Sequence, residues 1–205
     1  MRVHCPPTRA ICLENTHNLH GGTVLKPEYM AKVKALAEHH NLHVHLDGAR
    51  VFNAAVALDL PVAEIAAHVD TMMFCLSKGL CAPIGSVLVG GKDFIHEAVT
   101  VRKYLGGAMR QAGIVAAAGI LALQSMVERL ADDHRRASRL AQGLGGIPGV
   151  NVDIDSVQTN FVMLELETMK APQFLEALRE YKVWALPFSD STIRFCTHKD
   201  IDDAD

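Results

Sequence analysis

The sequence has no apolar run long enough to form a membrane-crossing helix. Its longest, Ile114 to Leu123, falls well short of the roughly 20 residues such a helix needs. The opening stretch MRVHCPPTRAICLENTH lacks the extended apolar core of a signal peptide. Charge of one sign is also scarce. Twenty Lys and Arg stand against 23 Asp and Glu, a net charge of −3, which favours neither nucleic acid nor a membrane as partner. The five cysteines, Cys5, Cys12, Cys75, Cys81 and Cys196, are odd in number and contain no C-x-x-C pair. That pattern speaks against a disulfide framework and for free thiols in a reducing compartment. Cys12, Cys75 and Cys196 lie in apolar runs and are expected to behave as small core residues. With 49% hydrophobic residues, a 205-residue chain can bury a core of its own.

Local patterns alternate between strand and helix. Ala10 to Leu13 reads as a buried strand, followed by an Asn-, Thr- and Gly-rich loop. Pro27 opens a helix in which Met30, Val33, Leu36 and Ala37 recur at helical spacing. His43 to Asp47 alternates as a strand, Ala49 to Leu58 and Val62 to His68 read as helices, and Thr71 to Leu76 and Ile84 to Val89 as strands. Lys92 to Leu105 is expected to be helical, and one long helix is expected from about Gln111 to Leu144. The glycine-rich GLGGIPG segment breaks the chain at residues 143–149 and suggests a boundary between 1–145 and 146–205. Beyond it, Val150 to Ile154, Asn160 to Glu165 and Ile193 to Cys196 read as strands, and Pro172 to Tyr181 as a helix. This is the rhythm of an α/β domain with a mainly parallel sheet between helices, followed by a small α+β domain.

Two strand ends carry chemistry: HLDGAR, with Asp47 and Arg50, and CLSKGL, with Lys78. In open parallel sheets, ligands bind beyond the carboxyl ends of the strands, so these three residues are expected to face one crevice. A lysine amine can form an imine with the aldehyde of pyridoxal 5'-phosphate (PLP). The pyridine ring then absorbs the electron pair released at the substrate Cα, provided its nitrogen stays protonated. A carboxylate in contact with that nitrogen contributes at most about 4 kcal/mol at an effective dielectric of about 20. Realised in the transition state alone, that is roughly a thousandfold in rate. Each signal has a plainer alternative: Asp47 as a cap of the next helix, and Ser77-Lys78-Gly79 as an ordinary polar turn. His39, His40, His43 and His45 match no metal-ligand spacing, and no metal site is expected.

The blocks ICLENTHN, GGTVLKPEYM, HVHLDGARVFNAAVAL, FCLSKGLCAPIGSVLVG and RKYLGGAMRQAGIVAAAGILAL, in this order, resemble the low-specificity threonine aldolases. These belong to the β-eliminating-lyase group of fold-type-I PLP enzymes. The resemblance runs from about His4 to the end of the chain. It implies that Lys78 holds the cofactor and Asp47 partners its pyridine nitrogen. It places Arg50 near the cofactor oxygen and the substrate carboxylate, and makes Arg194, in IRFCTH, a second carboxylate-binding arginine. Two arginines suit a carboxylate because each guanidinium presents a fork of N–H donors. Lys103 and Arg110, flanking a Gly-Gly turn, are implied to reach the cofactor phosphate of a neighbouring subunit, making the active form a homo-oligomer, dimer or tetramer. Their plainer reading is as solvated helix-end cations. His4 is implied to lie near the substrate side chain and is a candidate proton acceptor. Glu14, Asn15, Thr16 and His17 lie in the family's segment beside the site.

The implied reaction is cleavage of L-threonine or L-allo-threonine to glycine and acetaldehyde. Both chain ends read as cuts through a larger fold. The resemblance implies that an N-terminal segment with the phosphate-binding turn, and a last C-terminal helix, lie outside the sequence. A second reading is therefore an inactive remnant or interaction fragment of such an enzyme. A related PLP β-lyase, desulfurase or aminotransferase is the third, and the GGAMRQAG block argues against it. A cytoplasmic location is expected, with a mitochondrial one left open by a targeting signal upstream.

Overall fold

The computed structural model describes residues 6–205. Four strands form the first sheet: β1 (Ala10–Glu14), β2 (His43–Asp47), β3 (Thr71–Cys75) and β4 (Ser86–Gly90), in that spatial order. The first three are parallel and β4 runs antiparallel to β3. The connections between parallel strands carry α1 (Pro27–His39), then α2 (Val51–Leu58) and α3 (Val62–Ala66). Alternation along the strands sends Val44, Leu46, Met72 and Phe74 to one face. There Leu46, Met72 and Phe74 join Met30, Val51, Ala54 and Ile65 of the three helices in one core. Asp70 ties α1 to this sheet, accepting from Lys34 Nζ at 2.5 Å and from the Val44 N–H at 2.7 Å.

His43, His45 and Asp47 share the opposite face of β2. Toward the β4 edge, α4 (Lys92–Tyr104) packs there, enclosing a hollow of about 550 Å³ with Met73, Leu88, Ile95, Ala98, Val99 and Arg102 on its walls. The α/β architecture with helices on both faces agrees with the sequence pattern.

The expected single helix from Gln111 to Leu144 is two helices. α5 (Gly113–Ser125) and α6 (Leu130–Leu144) meet at 67°. The break buries Leu130 completely and packs it with Leu80, Ala82 and Ala122, with Met126 and Val127 against the same cluster. A straight helix would carry these side chains away from that cluster. Neither Gly nor Pro marks the break in the sequence.

The second sheet is antiparallel, with β5 (Val150–Asn151), β6 (Phe161–Leu166), β7 (Leu186–Pro187) and β8 (Thr192–Cys196) in the order β5-β6-β8-β7. The strand expected over Val150 to Ile154 pairs over two residues and gives way to a 3-10 turn at Ile154–Ser156, while β7 was not anticipated. Val162, Leu164, Ile193 and Phe195 face α7 (Ala171–Glu180) and α6, whose Ala137 and Ala141 are fully buried among them. The helix preceding the glycine-rich segment thus shares the core of the second sheet. The cysteine expectation is corrected: Cys12 and Cys196 are exposed and Cys75 is half-buried. Each lies on the strand face turned away from its own sheet's core.

Candidate active site

The carboxyl ends of the three parallel strands are laced together by backbone hydrogen bonds. The Asn15 N–H donates to the Asp47 carbonyl at 2.9 Å, and the Gly48 N–H donates to the Met73 carbonyl at 2.8 Å. A Cβ at Gly48 would lie 2.8 Å from that carbonyl oxygen, so the approach requires glycine. Asp47 is thereby fixed at the end of β2, in register with Met73. Its side chain is exposed, and Oδ1 accepts the Ala49 N–H at 3.0 Å, so its position and local capping role coexist.

Lys78 lies in the turn that leaves the neighbouring strand β3. The turn is wound tightly: Leu76 donates to Gly85, Ala82 donates back to Leu76, and Cys81 donates to the Lys78 carbonyl at 2.9 Å. The Lys78 side chain is exposed and engaged in no ion pair among the described residues. The sequence pattern therefore places an acid and an amine at the ends of adjacent parallel strands.

Arg50 and Arg194 meet although they come from different sheets. Arg50 follows β2. Arg194 sits mid-β8, where period-two alternation turns it away from the buried Ile193 and Phe195. Their guanidinium carbons lie 4.5 and 4.6 Å from the centre of the fully buried Phe161 ring. Both donate from Nη1 to Asn18 Oδ1, at 3.4 Å from Arg50 and 2.7 Å from Arg194. Burial holds the Arg50 pKa below its usual value, and the charge of Arg194 pushes the same way while Cys196, Cys75 and Glu14 oppose it. Neither arginine is in an ion pair with a carboxylate among the described residues. Cation–π contact, of order 0.5–2 kcal/mol per pair, partly offsets the cost of burying two unneutralised charges.

The segment 15–23 carries Asn18 into this contact and fastens the two sheets together. Asn15 is fully buried, exchanging two hydrogen bonds with the Leu25 backbone at 3.0 and 3.1 Å. Thr159 Oγ1 donates to the Gly22 carbonyl, and the Val24 N–H donates to Gln158 Oε1, both at 2.8 Å. Gly22 has φ +77°, and a Cβ there would lie 2.6 Å from Thr159 Oγ1. Neither Asn18 nor Phe161 stood out in the sequence as a site residue. Asn18 closes the ENTHN block, whose spacing carried the only signal; Phe161 looked like one more strand residue.

Lys103 lies in the last turn of α4 and Arg110 in the connection from α4 to α5. Both are exposed, beside Gly106 at φ +78° and Gln111 at φ 52°. His4 lies outside the described residues. Among the described residues no group of three His, Cys, Asp or Glu side chains is arranged to hold a metal ion.

Three buried polar atoms that border the Asn18 segment have no partner among the described residues: Thr16 Oγ1, His17 Nδ1 and Arg194 Nε. Buried donors and acceptors are ordinarily satisfied, so these mark where a polar ligand would complete the site. An amine and a carboxylate on adjacent strand ends, together with two guanidinium groups that have no ion-pair partner among the described residues, fit PLP and an amino-acid carboxylate.

The fold with this residue set is that of the fold-type-I PLP enzymes. A structure of a putative L-allo-threonine aldolase from Listeria monocytogenes superposes with a TM-score of 0.82 at 19% identity, over 96% of this chain and 57% of that one. A PLP-dependent aminotransferase from Streptococcus suis superposes with a TM-score of 0.71 at 20% identity, over 93% and 52%. Within that class the sequence is more specific. The beta-eliminating lyase profile matches residues 1–167, and the chain belongs to that family. It is 43% identical to low-specificity L-threonine aldolase 1 of Arabidopsis thaliana, over 98% of this chain and 57% of the relative. It is 39% identical to the low specificity L-threonine aldolase of Escherichia coli strain K12, over 97% and 57%. The chain therefore spans 57% of the length of these curated relatives.

Proposed function

We propose that the chain carries the lysine-bearing part of a PLP-dependent aldolase that cleaves L-threonine or L-allo-threonine to glycine and acetaldehyde. The observation that carries this reading is the placement of Lys78 and Asp47 on the ends of neighbouring parallel strands, with Arg50 and Arg194 converging from two sheets. When bound, PLP supplies the electron sink that lets the Cα–Cβ bond break. Lys78 Nζ is the attachment point, and its exposed amine, in no ion pair among the described residues, suits that role. The Asp47 carboxylate keeps a proton on the pyridine nitrogen; Gly48 fixes its backbone, and the Ala49 N–H steadies Oδ1. Arg50 and Arg194 take the substrate carboxylate through their forks, and the buried Phe161 ring keeps water from one side of the pair. His4 is the proposed acceptor of the substrate hydroxyl proton.

The proposal extends to assembly. Lys103 and Arg110 are exposed beside a Gly-Gly turn, and the family resemblance directs such cations to the cofactor phosphate of a second subunit. The proposed active form is a homo-oligomer. The exposure of Tyr104 and Leu105, each 82%, and Ile114, 87%, also favours a second reading. In it the chain associates with longer subunits and turns over no substrate itself.

The test is to incubate the chain with PLP, follow the visible absorbance, reduce with borohydride and map the labelled peptide. Labelling at Lys78, with loss in Lys78→Ala, is expected. Release of glycine and acetaldehyde from threonine separates the aldolase from the non-catalytic reading. Label at another lysine, or keto-acid release, would overturn the assignment.

A further inference from the structure

We infer that Asn18 is a positioning residue that gathers Arg50 and Arg194 into one carboxylate-binding site, and that its neutrality is what leaves the site open to an anion. The inference rests on the proposed amino-acid substrate, whose carboxylate is the anion in question.

Three observations support it. First, the two guanidinium groups share a single acceptor, Asn18 Oδ1, at 3.4 and 2.7 Å, and both lie on the same aromatic ring. Two like charges held this close repel, and an amide oxygen attracts an N–H from each without cancelling either charge. Second, Asn18 is held in place before any ligand arrives. Its N–H donates to Glu14 Oε1 at 3.0 Å. The segment closes on itself through His17 N–H to Thr23 carbonyl and Gly22 N–H to His17 carbonyl, each 2.9 Å. Third, donors remain unused. Each guanidinium carries five N–H groups, and Arg194 Nε is buried with no partner among the described residues. The pair can accept a carboxylate while still gripping the amide oxygen.

The residue type decides the outcome because Asp and Asn have the same shape. An aspartate at this position would keep the acceptor oxygen and offset one of the pair's two charges, acting as an internal competitor for the ligand carboxylate. An alanine would keep the charges but release the convergence. A purely structural asparagine predicts the reverse order, with aspartate tolerated and alanine harmful.

The experiment compares the parent chain with Asn18→Asp and Asn18→Ala, using acetate and L-threonine as probes without PLP. Calorimetry reads affinity and thermal unfolding reads stability. The expected result is that Asn18→Asp melts at or above the parent temperature yet binds acetate at least tenfold more weakly. Asn18→Ala is expected to bind acetate severalfold more weakly and to exchange amide hydrogens faster in residues 15–23. Acetate affinity in Asn18→Asp within twofold of the parent would overturn the inference, as would a parent chain that binds neither probe. Labelling of Lys78 by PLP and borohydride is scored separately. Retained labelling with unchanged acetate binding refutes the role of Asn18 alone. Labelling lost from the parent refutes the cofactor reading and leaves the anion result standing.

Discussion

Leu130 fills the space that a side chain on Gly79 would occupy. A Cβ at residue 79 would lie 2.8 Å from Leu130 Cδ2, and Leu130 is itself fully buried. The start of α6 thus presses on the turn that presents Lys78, with Asn53 Oδ1 of α2 3.4 Å away on the same side. The position of Lys78, the proposed cofactor lysine, is set by a contact between residues far apart in the chain.

Gly79→Ala is therefore expected to displace the turn or Leu130, at about 1–3 kcal/mol of stability, and to slow labelling of Lys78 by PLP and borohydride. A double-mutant cycle with Leu130→Val checks the cause. Shortening Leu130 makes room for the methyl group, so the double variant is expected to be more stable than the two single losses added together. Strict additivity would show that the two residues do not press on one another.

Much of this arrangement is legible in the sequence. Val44 and Leu46 alternate with His43, His45 and Asp47, and that alternation alone gives the strand and the face on which the acid lies. HLDGAR and CLSKGL mark the ends of adjacent strands because turn glycines follow chemistry-bearing residues. The break between α5 and α6 is not legible. Residues 126–129 include no Gly or Pro, and the bend is imposed by burial of Leu130 under the Lys78 turn, a contact with no local signature. Arg194 is identifiable only through family resemblance, since one arginine in a strand has many possible partners. That Asn18 joins it to Arg50 follows from how the second sheet docks on the first, which local pattern does not encode.

A buried polar chain at the same junction gives stability a pH dependence. Asn53 Nδ2 lies 3.1 Å from His134 Nε2 and 3.5 Å from Asn160 Oδ1, and Asn160 Nδ2 donates to the Thr197 carbonyl at 3.1 Å. With Asn53 donating, His134 Nε2 must accept, so the ring is neutral. Burial lowers the His134 pKa from 6.5 to about 4, against the opposing charge of Asp133. The unfolded chain binds the proton first, so this contribution is complete above about pH 6.5 and is lost as pH falls toward 4. After discounting for partial exposure of the ring, the loss is up to about 2 kcal/mol. Urea midpoints at pH 7 and pH 4.5 measure it. His134→Gln, which cannot titrate, is expected to flatten the slope across this window, and an unchanged slope would assign it elsewhere.

Asp47 offers a test of the electrostatic role against the capping role. Asp47→Asn keeps an oxygen for the Ala49 N–H but removes the charge. Stability is expected to change by less than about 1 kcal/mol, since the exposed cap survives. Turnover of the assembled enzyme is expected to fall by two to three orders of magnitude, roughly the 4 kcal/mol ceiling on the lost contact with the ring nitrogen. Visible absorbance after PLP addition is expected to persist, because Lys78 is untouched. If turnover and stability fell together in proportion, Asp47 would be a cap and nothing more.

The proposed assembly makes a prediction that separates packing from charge. Tyr104, Leu105 and Ile114 are close in the chain to Lys103 and Arg110, and Ile120 and Leu121 on α5 are 56% and 63% exposed. Apolar surface left in water costs about 25 cal/mol per Å², so burying several such side chains between copies supplies the driving force for association. The cations contribute little to that force, because, exposed and without carboxylate partners among the described residues, they gain nothing until an anion faces them. Leu105→Glu with Ile114→Lys is therefore expected to shift the chain toward smaller species in size-exclusion chromatography with light scattering. Lys103→Ala with Arg110→Ala is expected to leave the mass unchanged while weakening retention of PLP after dialysis of the assembled enzyme. An apolar double variant with the parent mass would place the contact between copies elsewhere, and full PLP retention without the cations would remove them from the phosphate site.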